Sequence, residues 1–225
     1  MVSLVPPKGV DSLKYVVAGG SRQLVLVLAA VNLCNFMDRK LISVLLPAIK
    51  VDLSLTDSEM GLVTGLAFGL TYAALGLPLS WLSERVDRRK LIAAVLTLWC
   101  MFTALSGIAV SFFQLLLFRM GVAVGEAGAS PPSYAMISDA YPVSSRTAAI
   151  SVFTSGGQVG GFLGALIGGW VAQFIGWRAA FVVVGALGLI MLPFLLFGIK
   201  DPPKGASDEL IRQVETEEGW ILGVR

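Results

Sequence analysis

Apolar residues run along this chain in six long stretches, each parted from the next by a short segment rich in polar residues or proline. An α-helix needs about 20 apolar residues to cross a bilayer, and each stretch reaches that length. The pattern predicts membrane helices over residues 24–49, 58–82, 91–110, 113–140, 147–174 and 177–199. Thr56-Asp57-Ser58-Glu59 reads as a capping start for the second. Asp201-Pro202-Pro203 stops the last, because proline neither donates to nor continues a helix. The chain so divides into an N-terminal tail (1–23), a six-helix transmembrane bundle (24–200) and a polar linker or tail (201–225).

The polar positions inside the apolar runs are the informative ones. The first helix carries Asn32, Asn35, Asp38 and Arg39 at spacings of three, three and one, followed by Lys40. Asn32 and Arg39 point almost the same way, with Asn35 between them on that side. The fourth helix carries Arg119 and Glu126, two turns apart and so on one face about 10 Å apart. A charge held in hydrocarbon costs several kcal/mol unless it meets a partner or a water-filled cavity. Two readings stay open: a static ion pair that pins helices together, or a substrate and proton site. Asp38 is positioned to pair with Arg119, and Glu126 with Arg39 or Lys40. A carboxylate balanced between burial and a nearby cation releases its proton when substrate or conformation shifts that balance. Lys40 reads more simply as a side chain snorkelling to the interface.

Small residues form a second pattern. The second helix has Gly61, Gly65, Gly69 and Ala73, and the fifth has Gly156, Gly160, Gly164 and Gly168. A repeat of four lets helix backbones approach closely in lipid. The third and sixth helices are plain apolar spans with aromatic ends such as Trp99 and Trp177. The order charged, small-faced, plain therefore occurs twice. Three crossings per unit make the second unit inverted relative to the first, an arrangement used by secondary transporters.

Composition agrees. Of 225 residues, 56% are hydrophobic and only 14% charged, with mean hydropathy +0.79, against about 25% charged in a soluble domain. The protein is expected to be all-α and integral to a lipid bilayer. A net charge of +2 implies no nucleic-acid partner. The chain has no His, which removes His-assisted serine or cysteine nucleophiles and HExxH zinc sites. No helix holds a GxGD sequence, so an intramembrane enzyme is disfavoured, and no cofactor or metal is expected. Cys34 and Cys100 fall in apolar runs and read as packing residues. Residues 1–23 lack the apolar core of a cleavable signal and hold at most a short amphipathic turn near 10–17.

Basic residues are unevenly shared between the two sets of loops. Lys8, Lys14, Arg22, Arg85, Arg88, Arg89, Lys90, Arg146, Lys200, Lys204 and Arg212 fall on one side, and Lys50 and Arg178 on the other. The positive-inside rule then places both termini and the 2–3 and 4–5 loops in the cytosol. The 2–3 loop, LSERVDRRK at 82–90, is dense in charge. It reads either as an ordinary basic loop that sets topology or as a cytosolic latch of Glu84, Arg85 and Arg88, with Asp139 accepting from Arg88.

Those residues carry a resemblance. LSERVDRRK resembles the 2–3 loop signature G-x-L-A-D-R-x-G-R-R of the major facilitator superfamily, with Ser80 and Asp87 in place of its glycines, Ser83 of its alanine and Glu84 of its aspartate. LLLFRMGVAVGEAG resembles the superfamily's helix 4 arginine motif. GGQVGGFLGALIGGW resembles the helix 5 motif of antiporter branches, with Gly161 where proline is usual. NFMDRKLISVLLP, RMGVAVGEAGASPPSYAMISDAYP and GGWVAQFIGWRAAF are most similar to the Spinster-like branch. The resemblance covers residues 32–203 and implies the N-terminal six-helix half of a twelve-helix transporter. It implies that Asp38, Arg39, Arg119, Gly125 and Glu126 serve proton-linked gating and recognition of a lysolipid-type or other amphiphilic solute. It further implies a cell membrane location and a second six-helix half beyond this chain. Residues 206–225 resemble the start of the connector between halves, with Ser207 capping and Leu210, Ile211 and Val214 on one face.

The reading that follows is a proton-coupled transporter of an organic anion. In it Asp38 and Glu126 take the protons. Arg39 and Arg119 tune them and bind an anionic headgroup, with Asn35 beside them. Glu84, Arg85, Arg88 and Asp139 form the cytosolic gate, and the glycines of the second and fifth helices let the halves rock. The rival is a six-helix protein working as a homodimeric half-transporter or as a non-transporting subunit that binds partner helices.

Overall fold

A computed structural model describes residues 20–207, all of whose regular structure is helical. The chain forms six rods: α1 (Gly20–Asp52), α2 (Asp57–Ser83), α3 (Arg88–Ser106), α4 (Phe112–Ala140), α5 (Val143–Phe174) and α6 (Trp177–Gly198). Helices α2 to α6 are long and apolar enough to cross a membrane. Helix α1, at 33 residues, is long enough, but its run is interrupted by the polar residues at 32, 35 and 38–40. It begins at Gly20, four residues earlier than the apolar pattern indicates. The expected turn near 10–17, and the expected amphipathic helix from residue 208 onward, lie outside the described residues.

Local chemistry sets the ends. Thr56 caps α2 with a reciprocal box: its Oγ1 accepts from the Glu59 amide at 3.2 Å, and its own amide donates to Glu59 Oε2 at 2.8 Å. Asp87 caps α3 by accepting from the Lys90 amide, and Ser111 caps α4 by accepting from the Gln114 amide. Three rods are not uniform. Helix α2 has one turn of π-helix at Leu62–Leu66. Helix α4 breaks after Ala127 and resumes at Ser130, just ahead of Pro131 and Pro132. Helix α6 breaks at Ile190, three residues ahead of Pro193.

The packing has the exchange symmetry of two inverted units. Helix α1 lies along α5, and its counterpart α4 lies along α2; α3 packs on α6 near the centre; α3 meets α4 as α6 meets α1. The symmetry is incomplete, because α5 packs on α6 while α2 barely touches α3. Two cores result, one around Trp99, Leu96, Met136 and Ile137, the other around Leu41, Leu45, Trp177 and Phe181.

The two glycine stripes have different fates. A methyl group built on Gly156, Gly160 or Gly164 would come within 2.1 to 2.3 Å of the Ala29, Leu33 or Met37 carbonyl oxygen of α1. The α5 stripe is therefore consumed by α1 inside this bundle. The reason is register: residues 29, 33 and 37 repeat every four, as do the glycines, so the two backbones interlock. On α2 the same construction at Gly61, Gly65 and Gly69 meets nothing within 4 Å. That face is open, and α2 exposes Leu66, Leu70, Leu77 and Trp81.

Candidate functional site

The polar residues of α1 and α4 converge at the centre of the bundle. Arg119 Nη1 donates to Asp38 Oδ2 at 3.1 Å, and Thr103 of α3 donates to Asp38 Oδ1 at 3.0 Å. Both members of this ion pair are essentially buried, with side chains 3% and 2% exposed. Arg39 Nε donates to Glu126 Oε2 at 2.6 Å; Glu126 is wholly buried while Arg39 keeps 32% of its side chain exposed. Glu126 also lies within electrostatic reach of Asp38 and Arg119. The four charges sum to zero, which lets them sit in an apolar bundle.

Around them stands an aromatic wall. The Arg39 guanidinium lies 4.9 Å from the ring centre of Tyr72, 5.5 Å from that of Phe36 and 5.7 Å from that of Phe68. Arg119 lies 5.4 Å from the same Phe68 ring. Both cations thus lie within reach of one ring, Phe68, at distances where a ring quadrupole attracts a guanidinium. Phe68 and Tyr72 follow the π turn of α2, whose extra residue rotates what comes after it relative to an unbroken helix.

The networks are not fully satisfied among the described residues. Glu126 Oε1, Arg119 Nε and Asn35 Nδ2 are buried and have no hydrogen-bond partner there. Orphaned buried polar atoms cost about 1–3 kcal/mol each, so their persistence in a site needs a ligand, water or functional reason. Asn32 is different: its Nδ2 donates to the Phe153 carbonyl of α5 at 3.0 Å, which makes it a fastener between helices. Lys40 is exposed and forms no ion pair among the described residues, lying over Gly161.

At the end of the bundle where the chain's described termini lie, Arg88 is 3% exposed and gathers three segments. Its Nη1 donates to Asp139 Oδ2 at 2.6 Å, its Nε to Asp201 Oδ1 at 2.8 Å, and its Nη2 to the Pro202 carbonyl at 2.7 Å. The latch expected from 82–90 is present only in part. The Glu84 side chain is exposed and outside the cluster, its carbonyl accepting from Lys204. Arg85 is exposed and stacks on Trp81 at 3.6 Å. The physical reason is position: Glu84 and Arg85 lie on the turn between α2 and α3, whereas Arg88 is the first residue of α3 and points into the bundle. Residues 201–207 are not a loose linker, because Gly205 donates its amide to Asp139 and Ser207 its hydroxyl to the Tyr141 carbonyl.

Sequence reasoning missed Asp201, which it read only as part of a helix stop; an acid directly after a helix that ends beside a basic loop was the available signal. It also missed Thr103, Phe68 and Tyr72. Nothing in an isolated helix marks Thr103 as facing Asp38, and aromatics in apolar spans are common. At the opposite end Arg178 pairs with Asp52 and donates to the Ala109 carbonyl, and Lys50 pairs with Asp57.

Comparison with known proteins bears on this arrangement. The family model described as Major Facilitator Superfamily matches residues 28–221. The chain is 39% identical over 170 residues to an MFS-type efflux pump of Mycolicibacterium smegmatis, covering 76% of this chain and 40% of that protein. It is 32% identical over 205 residues to protein spinster homolog 1 of Xenopus tropicalis, covering 90% of this chain and 39% of that protein. A crystal structure of a bacterial homologue of the human lysosomal transporter Spinster, inward-facing and unoccupied, superposes with a TM-score of 0.75 at 36% identity. It covers 83% of this chain and 44% of that one. The chain spans less than half the length of these relatives. With six helices in two exchangeable units, charged residues meeting between α1 and α4, and these matches, the chain belongs to the Major Facilitator Superfamily, where its relatives include the spinster proteins.

Proposed function

We propose that this chain is the N-terminal half of a proton-coupled secondary transporter for an organic, amphiphilic anion of the lysolipid type. The single observation that carries it is the Glu126–Arg39 pair. A wholly buried carboxylate with one oxygen unpartnered is bonded through the other to a guanidinium that still reaches the outside. An anion arriving at Arg39 competes with Glu126 for its donors, and the carboxylate then takes up a proton because it can no longer stay charged where it is buried. The Asp38–Arg119 pair, deeper and held by Thr103, keeps the neighbouring charge fixed. The aromatic wall of Phe36, Phe68 and Tyr72 offers apolar surface beside the cation, which suits a solute with a charged head and an apolar body.

Arg88 and Asp139, joined by Asp201, act as the cytosolic gate, and the open glycine face of α2 receives a second six-helix half or a second copy of the chain. The excess of basic residues in the loops on one side supports a cytosolic location for both termini, in a cell membrane. The relatives name a range of solutes: the Cupriavidus necator relative is a probable sulfoacetate transporter and the Bacillus subtilis relative a hexuronate transporter, both for organic anions. The test is uptake by proteoliposomes holding the protein with its partner half, across a pH gradient. Glu126→Gln is expected to insert normally and to lose the pH dependence of transport. Retention of that dependence in the variant would remove Glu126 from the coupling role.

A further inference from the structure

We propose that the break in α4 holds one ordered water molecule, bound by Asn35, Ser130 and Ser133. Between α1, α4 and α5 lies a half-open pocket with about 10 Å³ of room for the centre of a water molecule, Asn35, Ser130, Ser133 and Phe153 among its lining. That is the space of one water, and a water is retained where at least two polar groups meet it. Asn35 is 2% exposed, lines this pocket, and its Nδ2 has no partner among the described residues. The Ser130 hydroxyl forms no hydrogen bond among the described residues. Ser133 Oγ donates to the Ala129 carbonyl at 2.7 Å and keeps its lone pairs to accept. A water here accepts from Asn35 and donates to the two serine oxygens, three bonds in all. The orphan atom is a donor, which selects water over a cation, since a cation would repel it.

The position follows from helix geometry. Asn35 is one turn before Arg39, and Ser130 is one turn after Glu126; because Arg39 and Glu126 touch, the water lies one turn from that pair, toward Arg88 and Asp139. Pro131 and Pro132 have no N–H, so the helix cannot close over this level with its own bonds. The water gives the Glu126 region a point of hydration inside the apolar bundle. That last role rests on the proton-coupling reading, whereas the site itself does not.

Radiolytic hydroxyl labelling of the protein in its native membrane, read by mass spectrometry, tests it. A bound water generates the radical in place, so Phe153 and Val31, though only 3% and 2% exposed, are expected to label several-fold faster than Phe181 and Val184, at 0% and 3%. Asn35→Leu is expected to bring the first pair down to the rate of the second. Equal rates in the unaltered protein overturn the proposal without needing the variant. A Phe153 rate or thermal stability that depends on sodium rather than choline also overturns it, in favour of a cation. Loss of pH-coupled transport in Glu126→Gln bears on the proposed function alone and leaves this result untouched.

Discussion

At the residue scale the bundle is governed by four charges that cancel pair by pair. Asp38 and Arg119 are both nearly free of solvent, so removing one partner strands the other. Truncation of one member of a buried pair costs about 3–5 kcal/mol, whereas replacing both by apolar groups is far milder. Asp38→Asn and Arg119→Leu are each expected to lower thermal stability strongly, and the double variant to recover most of the loss. A double variant as unstable as the sum of the singles would show that the two residues are not a pair. The pairing was legible from spacing, because an acid and a base alone in facing apolar helices must find each other. The choice of Arg39 over Lys40 for Glu126 was not, since adjacent residues on a helix differ by 100° and only the packing of α1 on α5 fixes which one turns inward.

At the element scale the informative contrast is between two glycine stripes that look alike on paper. Gly160 sits where a methyl group would stand 2.1 Å from the Leu33 carbonyl oxygen, and Gly65 where it would meet nothing. Overpacking a tight contact costs about 1–3 kcal/mol, and here the obstacle is backbone. Gly160→Ala is expected to reduce the yield of folded protein and its melting temperature, while Gly65→Ala leaves both unchanged in this chain. Matching losses in the two variants would contradict the assignment of the α5 stripe to α1. The number, order and approximate ends of the helices were readable because apolar length and capping chemistry are local properties. The breaks in α4 and α6 were not read from the sequence, because Pro47 and Pro78 sit inside unbroken helix, and the π turn of α2 has no mark in its composition at all.

At the scale of the whole molecule, one arginine ties the end of the bundle together. Arg88 joins the start of α3 to the end of α4 and to the segment after α6 through Asp139, Asp201 and Pro202. Asp201→Asn is expected to loosen residues 201–207, so that trypsin cuts after Lys204 several-fold faster than in the unaltered protein. An unchanged cutting rate would mean that the segment is held by its other contacts. Sequence alone offered Asp139, at the end of the fourth helix, as the acceptor for Arg88, yet it cast Asp201 as punctuation, because its partner lies 113 residues away and a helix stop already accounts for an Asp-Pro-Pro. The open glycine face of α2 is the surface that the proposed function assigns to a further set of helices.

The most direct measurement is infrared difference spectroscopy of the protonated carboxyl band, taken during a pH titration of the protein in membranes. A carboxyl band that grows as the pH falls, that responds to an organic anion, and that disappears in Glu126→Gln is the expected result, because Glu126 is then the group that carries the proton. A band that survives unchanged in Glu126→Gln, or no carboxyl band at any pH, would contradict the claim that the buried Glu126–Arg39 pair is the coupling site.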